Sequence, residues 1–287
     1  MKKLIASSLG ILIGVAAFGQ TSTAVKLNWK INPDETLTYQ TIMNEIDPSK
    51  DDDNFKDLLK AIEDTSANKI NKIRDLINQR NLSAKQGDLA SGLPNTGLET
   101  ELTNSGNGTV NIVMKPGSAD AGNNEKTMLS GSIYETGGIH SFWISASQKN
   151  LMAMFFELPN KPVKVGDSWE IDVNLTIKDQ YFECDSAYKI NKVTLTDLQN
   201  RDGETIAVIQ YEIEEFVAGV STNPIMIKEG ESNQTMTKYK LQTIAEFSVD
   251  KGRWVSYDGI LEFEAIGAIT AHSKKKFSLI EEQKGSK

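Results

Sequence analysis

Between residues 169 and 178 the chain alternates apolar and polar side chains without a break. Trp169, Ile171, Val173, Leu175 and Ile177 fall on one side, and Glu170, Asp172, Asn174, Thr176 and Lys178 on the other. Successive side chains of a β-strand leave on opposite faces, so a period of two marks a strand with one face buried. The pattern returns in Ala207, Ile209, Tyr211 and Ile213 against Gln210, Glu212 and Glu214. It returns again in Leu261, Phe263 and Ala265 against Glu262 and Glu264. One apolar and one acidic face belongs to antiparallel sheets with a solvated side. Asn107-Gly108, Gly137-Gly138, Asp202-Gly203 and Asp250-Lys251-Gly252 supply the positive φ angles that tight hairpins need. The expected fold is mainly β, a meander of hairpins.

The turns arrange these strands as two tandem antiparallel units, forming a curved sheet or half-barrel. The first covers residues 20–149, with a strand after Asp34-Glu35-Thr36 and hairpins at Asn107-Gly108 and Gly137-Gly138. The second covers 162–287, with a strand after Gly166-Asp167-Ser168 and hairpins at Asp202-Gly203 and 250–252. Near residues 53–80 the period changes. Phe55, Leu58, Leu59 and Ile62, then Ile70, Ile73, Leu76 and Ile77, follow helical spacing, with Asp53 and Ser66 as N-caps. This predicts a helical insertion packing one stripe on the sheet. Residues 150–161 form an apolar connector rich in Met and Phe (Met152, Met154, Phe155, Phe156). Such soft side chains either fill a seam between sheets or line a ligand pocket.

The first 19 residues read as a cleavable signal peptide. Lys2 and Lys3 precede an apolar stretch to Phe18, and Ala17-Phe18-Gly19 gives the small-x-small cleavage pattern before Gln20. The stretch is shorter than the roughly 20 residues that span a bilayer, and no cysteine follows it for lipid attachment. The expectation is an exported soluble protein, periplasmic or extracellular, that is not a lipoprotein. Cleavage would leave acidic residues in excess by about ten, from 39 acidic and 31 basic residues in the whole chain. That charge disfavours nucleic acid and anionic membrane surfaces. The triplet Lys274-Lys275-Lys276 reads as a solvated segment. Cys184, the single cysteine, is expected to be a small buried strand residue.

Little in the chain carries chemistry. His140 and His272, the only histidines, lack the companions of a zinc site, and there is no Gly-x-Ser-x-Gly elbow. Neither a phosphate-binding loop nor a dinucleotide fingerprint occurs, so no cofactor and no metal are expected. Asp47, Asp51, Asp52, Asp53 and Asn54 lack the calcium-loop pattern and suit a helix N-terminus. Glu170/Asp172, Glu212/Glu214 and Glu262/Glu264 are same-face pairs that could serve a carboxylate-based glycan hydrolase or simply face water.

Residues 158–170, LPNKPVKVGDSWE, resemble a segment recurring in secreted β-rich proteins of Bacteroidota grouped as a domain of unknown function. Phe18-Gly19-Gln20 at the signal's end is similar to theirs as well. The resemblance implies a secreted β protein and carries no activity. A more distant similarity, in architecture alone, is to half-barrel carriers of the cell envelope that cup apolar ligands. The reading is an exported, non-enzymatic cell-envelope protein binding a partner or an apolar ligand on a curved sheet. Trp143, Met152, Met154, Phe155 and Trp169 are the candidate ligand-binding residues. A glycan hydrolase and a structural or assembly protein of the cell surface are the alternatives.

Overall fold

The computed structural model describes residues 23–45, 97–116, 127–141, 144–176, 181–222, 233–267 and 271–282. The signal segment, the predicted helices near 53–80, the acidic run and Trp143 lie outside them. The chain is mainly β. Among the described residues ten strands, β1 (Thr36–Glu45), β2 (Leu98–Gly106), β3 (Thr109–Pro116), β4 (Leu129–Tyr134), β5 (Ser168–Trp169), β6 (Phe182–Arg201), β7 (Glu204–Ser221), β8 (Gln234–Ser248), β9 (Arg253–Ile266) and β10 (Ala271–Glu281), form one antiparallel sheet. Its order is β4-β3-β2-β1-β10-β9-β8-β7-β6-β5, open at both ends. The two stretches seen in the sequence thus contribute four and six strands to a shared sheet. They meet where β1 pairs with β10, Tyr39 opposite Glu281 through Glu45 opposite Lys275.

Local chemistry sets the hairpins. Asn107 and Gly108 have φ of 57° and 73°, and Asp202 and Gly203 have 51° and 84°, matching the right-handed twist of the strands they join. The Gly137-Gly138 turn closes only a short return: Ile139 bridges to Ile133, and His140 and Ser141 donate their N–H groups to the Ser132 carbonyl. Residues 139–141 therefore lie beside β4 with a single bridge in place of the second strand expected there.

A helix, α1 (Ala146–Phe156), fills the inner face of the sheet. Sequence periodicity missed it, because five consecutive residues, Met152 to Phe156, are buried and no polar stripe remains. The capping box Ser145/Gln148 starts it. At the other end aromatic donors satisfy the last carbonyls, which no helix can satisfy internally. The Trp29 indole N–H donates to Phe156 O at 2.9 Å, the Trp254 indole N–H to Phe155 O at 2.8 Å, and the Tyr257 hydroxyl to Met154 O. The Glu157 N–H returns to Ala153 O at 3.3 Å.

The position of α1 requires a curved sheet. On one side Gln148 donates to Met128 O at 2.9 Å, and Met152 packs so tightly on β4 that a Cβ at Gly131 would lie 2.7 Å from its sulfur. On the other side Asn150 bonds Asn174, next to β6. Ten flat strands would span about 43 Å, several helix diameters. Both margins reach one helix only if the sheet wraps it. The core collects on this inner face: Trp29, Phe247, Trp254, Tyr257, Phe155 and Phe277 interlock with ring centroids 5.0–5.9 Å apart.

Two side-chain environments differ from expectation. Cys184 is exposed, because the first third of β6 projects beyond the core at the sheet margin. The Lys274–Lys276 triplet lies within β10, between β1 and β9, and Lys274 pairs with Glu262 across the strand boundary.

Candidate ligand-binding face

The motif at 158–170 docks the second stretch of chain onto the sheet. Val163 bridges Val25 through two 2.8 Å hydrogen bonds. Lys164 to Asp167 then turn tightly: the Lys164 N–H donates to Asp167 Oδ2 at 2.9 Å, and Gly166 takes φ of 92°, open only to glycine without strain. Leu195 of β6 receives the turn from both sides, its carbonyl accepting from Gly166 N and its N–H donating to Asp167 O. Trp169 follows opposite Val193.

Beyond Trp169 the chain departs from expectation. Ile171 and Val173 are buried and Asp172 and Asn174 exposed, as the alternation requires. Yet only Ser168 and Trp169 pair in the ladder. Residues 170–176 form a strap held by side chains. Asn191 imitates a neighbouring backbone, accepting from Ile171 N at 3.2 Å and donating to Ile171 O at 2.6 Å. Lys189 donates to Val173 O. Glu215, almost fully buried, accepts from Leu175 N at 2.7 Å, Thr176 N at 2.9 Å and Thr176 Oγ1 at 3.2 Å, and pairs with Lys189 at 2.9 Å. Asn150 and Glu157, from α1 and its C-cap, hold the opposite side.

Glu157 is the unusual carboxylate of this region. Burial pushes its pKa up to about 7, reinforced by the Asp172 carboxylate and opposed by the Asp172 N–H and Lys149. Its ordinary value is 4.5, so between pH 4.5 and 7 the folded chain holds a proton that the unfolded chain has lost. Stability must therefore fall as pH rises through that window, by up to about 3 kcal/mol, and level off above it. Glu157→Gln keeps the acceptor and removes the charge. It is expected to match the parent near pH 4.5 and to exceed it at pH 8 by up to that amount in urea unfolding. An unchanged pH slope in the variant would assign the dependence to other groups.

Of the candidate residues, Met152, Met154 and Phe155 are brought together on α1, inside the core. Trp169 stands at the core margin, half-buried, its indole N–H buried without a partner among the described residues. Met152, Met154 and Phe155 fill the seam between helix and sheet. A molecule could reach them only by displacing α1.

The inner face continues past them. Strand register places Glu215, Tyr239, Phe263 and Ser273 in one row of that face, two residues beyond Ile213, Leu241 and Leu261. Ile213 and Leu241 belong to the core cluster and Leu261 packs against it; Tyr239 and Phe263 lie beyond it, half-buried, their ring centroids 4.7 Å apart. Burial raises the Tyr239 pKa, consistent with a phenol in apolar surroundings. The sequence alternation around Phe263 marked this face, but only the pairing shows which residues extend it past the helix.

The carboxylate pairs lie elsewhere. Glu212, Glu214, Glu262 and Glu264 are on the outer face, opposite lysines: Lys238 lies 2.9 Å from Glu214 and Lys274 3.5 Å from Glu262. Glu170 and Asp172 are exposed, and Lys149 meets Asp172. Among the described residues no cluster of three or more His, Cys, Asp or Glu side chains is arranged to hold a metal ion. His272 approaches Glu262 at 3.5 Å on the outer face. His140 Nδ1 lies 2.9 Å from Ser132 Oγ at the β4 margin, with Tyr134 edge-on to the ring, a Ser–His contact no sequence motif announced. No helix among the described residues is long and apolar enough to cross a membrane. Neither known family models nor curated proteins give a match to this chain.

Proposed function

We propose that this is an exported, non-catalytic protein of the cell envelope that binds an apolar ligand, or an apolar segment of a partner, on the inner face of its curved sheet. The observation that carries the reading is the Tyr239–Phe263 pair. These rings continue the apolar lining beyond the core, on strands that outrun the helix. Pockets for apolar ligands are lined in this way, by aromatic and aliphatic side chains with few polar groups among them. The signal-like residues 1–19 and the resemblance at 158–170 support the export part of the reading. The placement of Glu212/Glu214 and Glu262/Glu264 on an ion-paired outer face favours binding over hydrolysis.

Titration with a fluorescent fatty acid tests the site. Binding is expected, and Phe263→Ser should weaken it about tenfold or more, as loss of a buried aromatic contact does. Tyr188→Ser, on the outer face, should leave it unchanged. Absence of binding, or equal effects of the two variants, would contradict the assignment.

A further inference from the structure

We propose that the bare margin of β6 is a self-pairing surface, on which a second copy of this chain docks antiparallel to make a closed two-fold dimer. The surface is separate from the inner face, and the inference does not depend on the ligand reading.

β6 is 20 residues long, but β5 covers only Val193 and Thr194. From 182 to 192 the strand pairs with β7 on one side. On its other side no backbone hydrogen bond is made among the described residues. The strap that could have covered it turns inward and is gripped by the Asn191 and Lys189 side chains instead. Eight consecutive residues, 183–190, are exposed, and Tyr188 and Ile190 remain 44% and 40% accessible. A long strand with unpaired N–H and C=O groups is a template for another strand unless something blocks it.

Charge selects the partner and its direction. Glu183 and Asp185 lie in the first half of the free margin and Lys192 at the end of the second, while the Lys189 ammonium is held by Glu215. A parallel copy would set like charges side by side. An antiparallel copy sets the acidic half against the basic half twice, once on each side of a two-fold axis, the condition for an isologous interface. The far end of the sheet does not extend this into a fibre. There Tyr134 N donates to Gly138 O, and Ser132 O accepts from His140 and Ser141, so residues 138–141 cover β4. One bare margin and one covered margin give a dimer.

Sedimentation velocity of the full chain over a wide concentration range, with reductant to keep Cys184 a thiol, tests this. A monomer–dimer equilibrium is expected. Glu183→Lys and Lys192→Glu should each weaken it about tenfold, because every reversal counts twice across the axis. The double reversal restores complementarity and should return the affinity to within about threefold of the parent. Circular dichroism and urea midpoints identify any variant that has lost its fold. A monomer at every concentration would overturn the proposal. So would a dimer indifferent to the single reversals, or one that the double reversal fails to restore.

Discussion

Trp254→Ala is expected to lower the unfolding free energy by about 4 kcal/mol, the loss typical of truncating a fully buried aromatic residue. Two effects combine in it. Trp254 is 1% exposed and packs edge-on against Phe247, Trp29 and Tyr257 at 5.0–5.9 Å, so its removal opens a cavity at the centre of the core. Its N–H is also the donor for Phe155 O, one of the carbonyls that α1 cannot satisfy itself. Trp254→Phe separates the two. It keeps much of the ring volume and orphans only the carbonyl, so a smaller loss of about 1–2 kcal/mol is expected. Urea unfolding at fixed pH reads both. A loss under 1 kcal/mol for the alanine variant would mean that α1 is not anchored through its C-terminal carbonyls.

The strap should prove equally dependent on one carboxylate. Glu215→Ala leaves two backbone N–H groups and one hydroxyl without their acceptor and frees Lys189 from its partner. The expected local cost is about 3 kcal/mol, since unsatisfied donors carry most of the penalty when a buried partner is removed. Because residues 170–176 have no ladder of their own, that loss should appear first as local opening. Hydrogen exchange at Leu175 and Thr176 should accelerate about a hundredfold, while amides in β8 and β9 change far less. Uniform acceleration across the sheet would show instead that the strap and sheet unfold together.

The same strap shows where sequence reading succeeds and where it stops. Alternation from Trp169 onward predicts the burial of Ile171 and Val173, and both are buried. It does not predict the hydrogen-bond partners. Side-chain periodicity reports which face meets the core, not whether the backbone beside it is a strand or an Asn191 amide. The hairpins at Asn107-Gly108 and Asp202-Gly203 were legible because two positive φ angles in succession are a local demand with a local residue signature. The pairing of β1 with β10 joins residues more than two hundred positions apart, and nothing near Tyr39 or Glu281 encodes it. α1 lay between these cases. Its capping box at Ser145 and Gln148 was readable, but the buried run from Met152 to Phe156 left no stripe to confirm a helix.

The proposed site divides in the same way. Met152, Met154, Phe155 and Trp169 stood out by composition, and the first three are packed into the core. Phe263 is legible in the sequence only as one member of an alternating strand and Tyr239 not at all, and only the β8–β9 register makes them neighbours. The Glu215 clamp is similarly invisible, since in the sequence Glu215 is one acidic residue beside Glu214. Strand parity sends Glu214 outward to Lys238 and Glu215 inward to the strap.

The most direct test of the binding account is native mass spectrometry of the protein purified under mild conditions from the envelope fraction of its own cells. The account predicts an extra apolar mass on the folded protein that disappears on denaturation and is lost in Phe263→Ser but retained in Tyr188→Ser. A clean, ligand-free mass for the folded parent would contradict the carrier reading, and an extra mass carried equally by both variants would place it on some other part of the molecule.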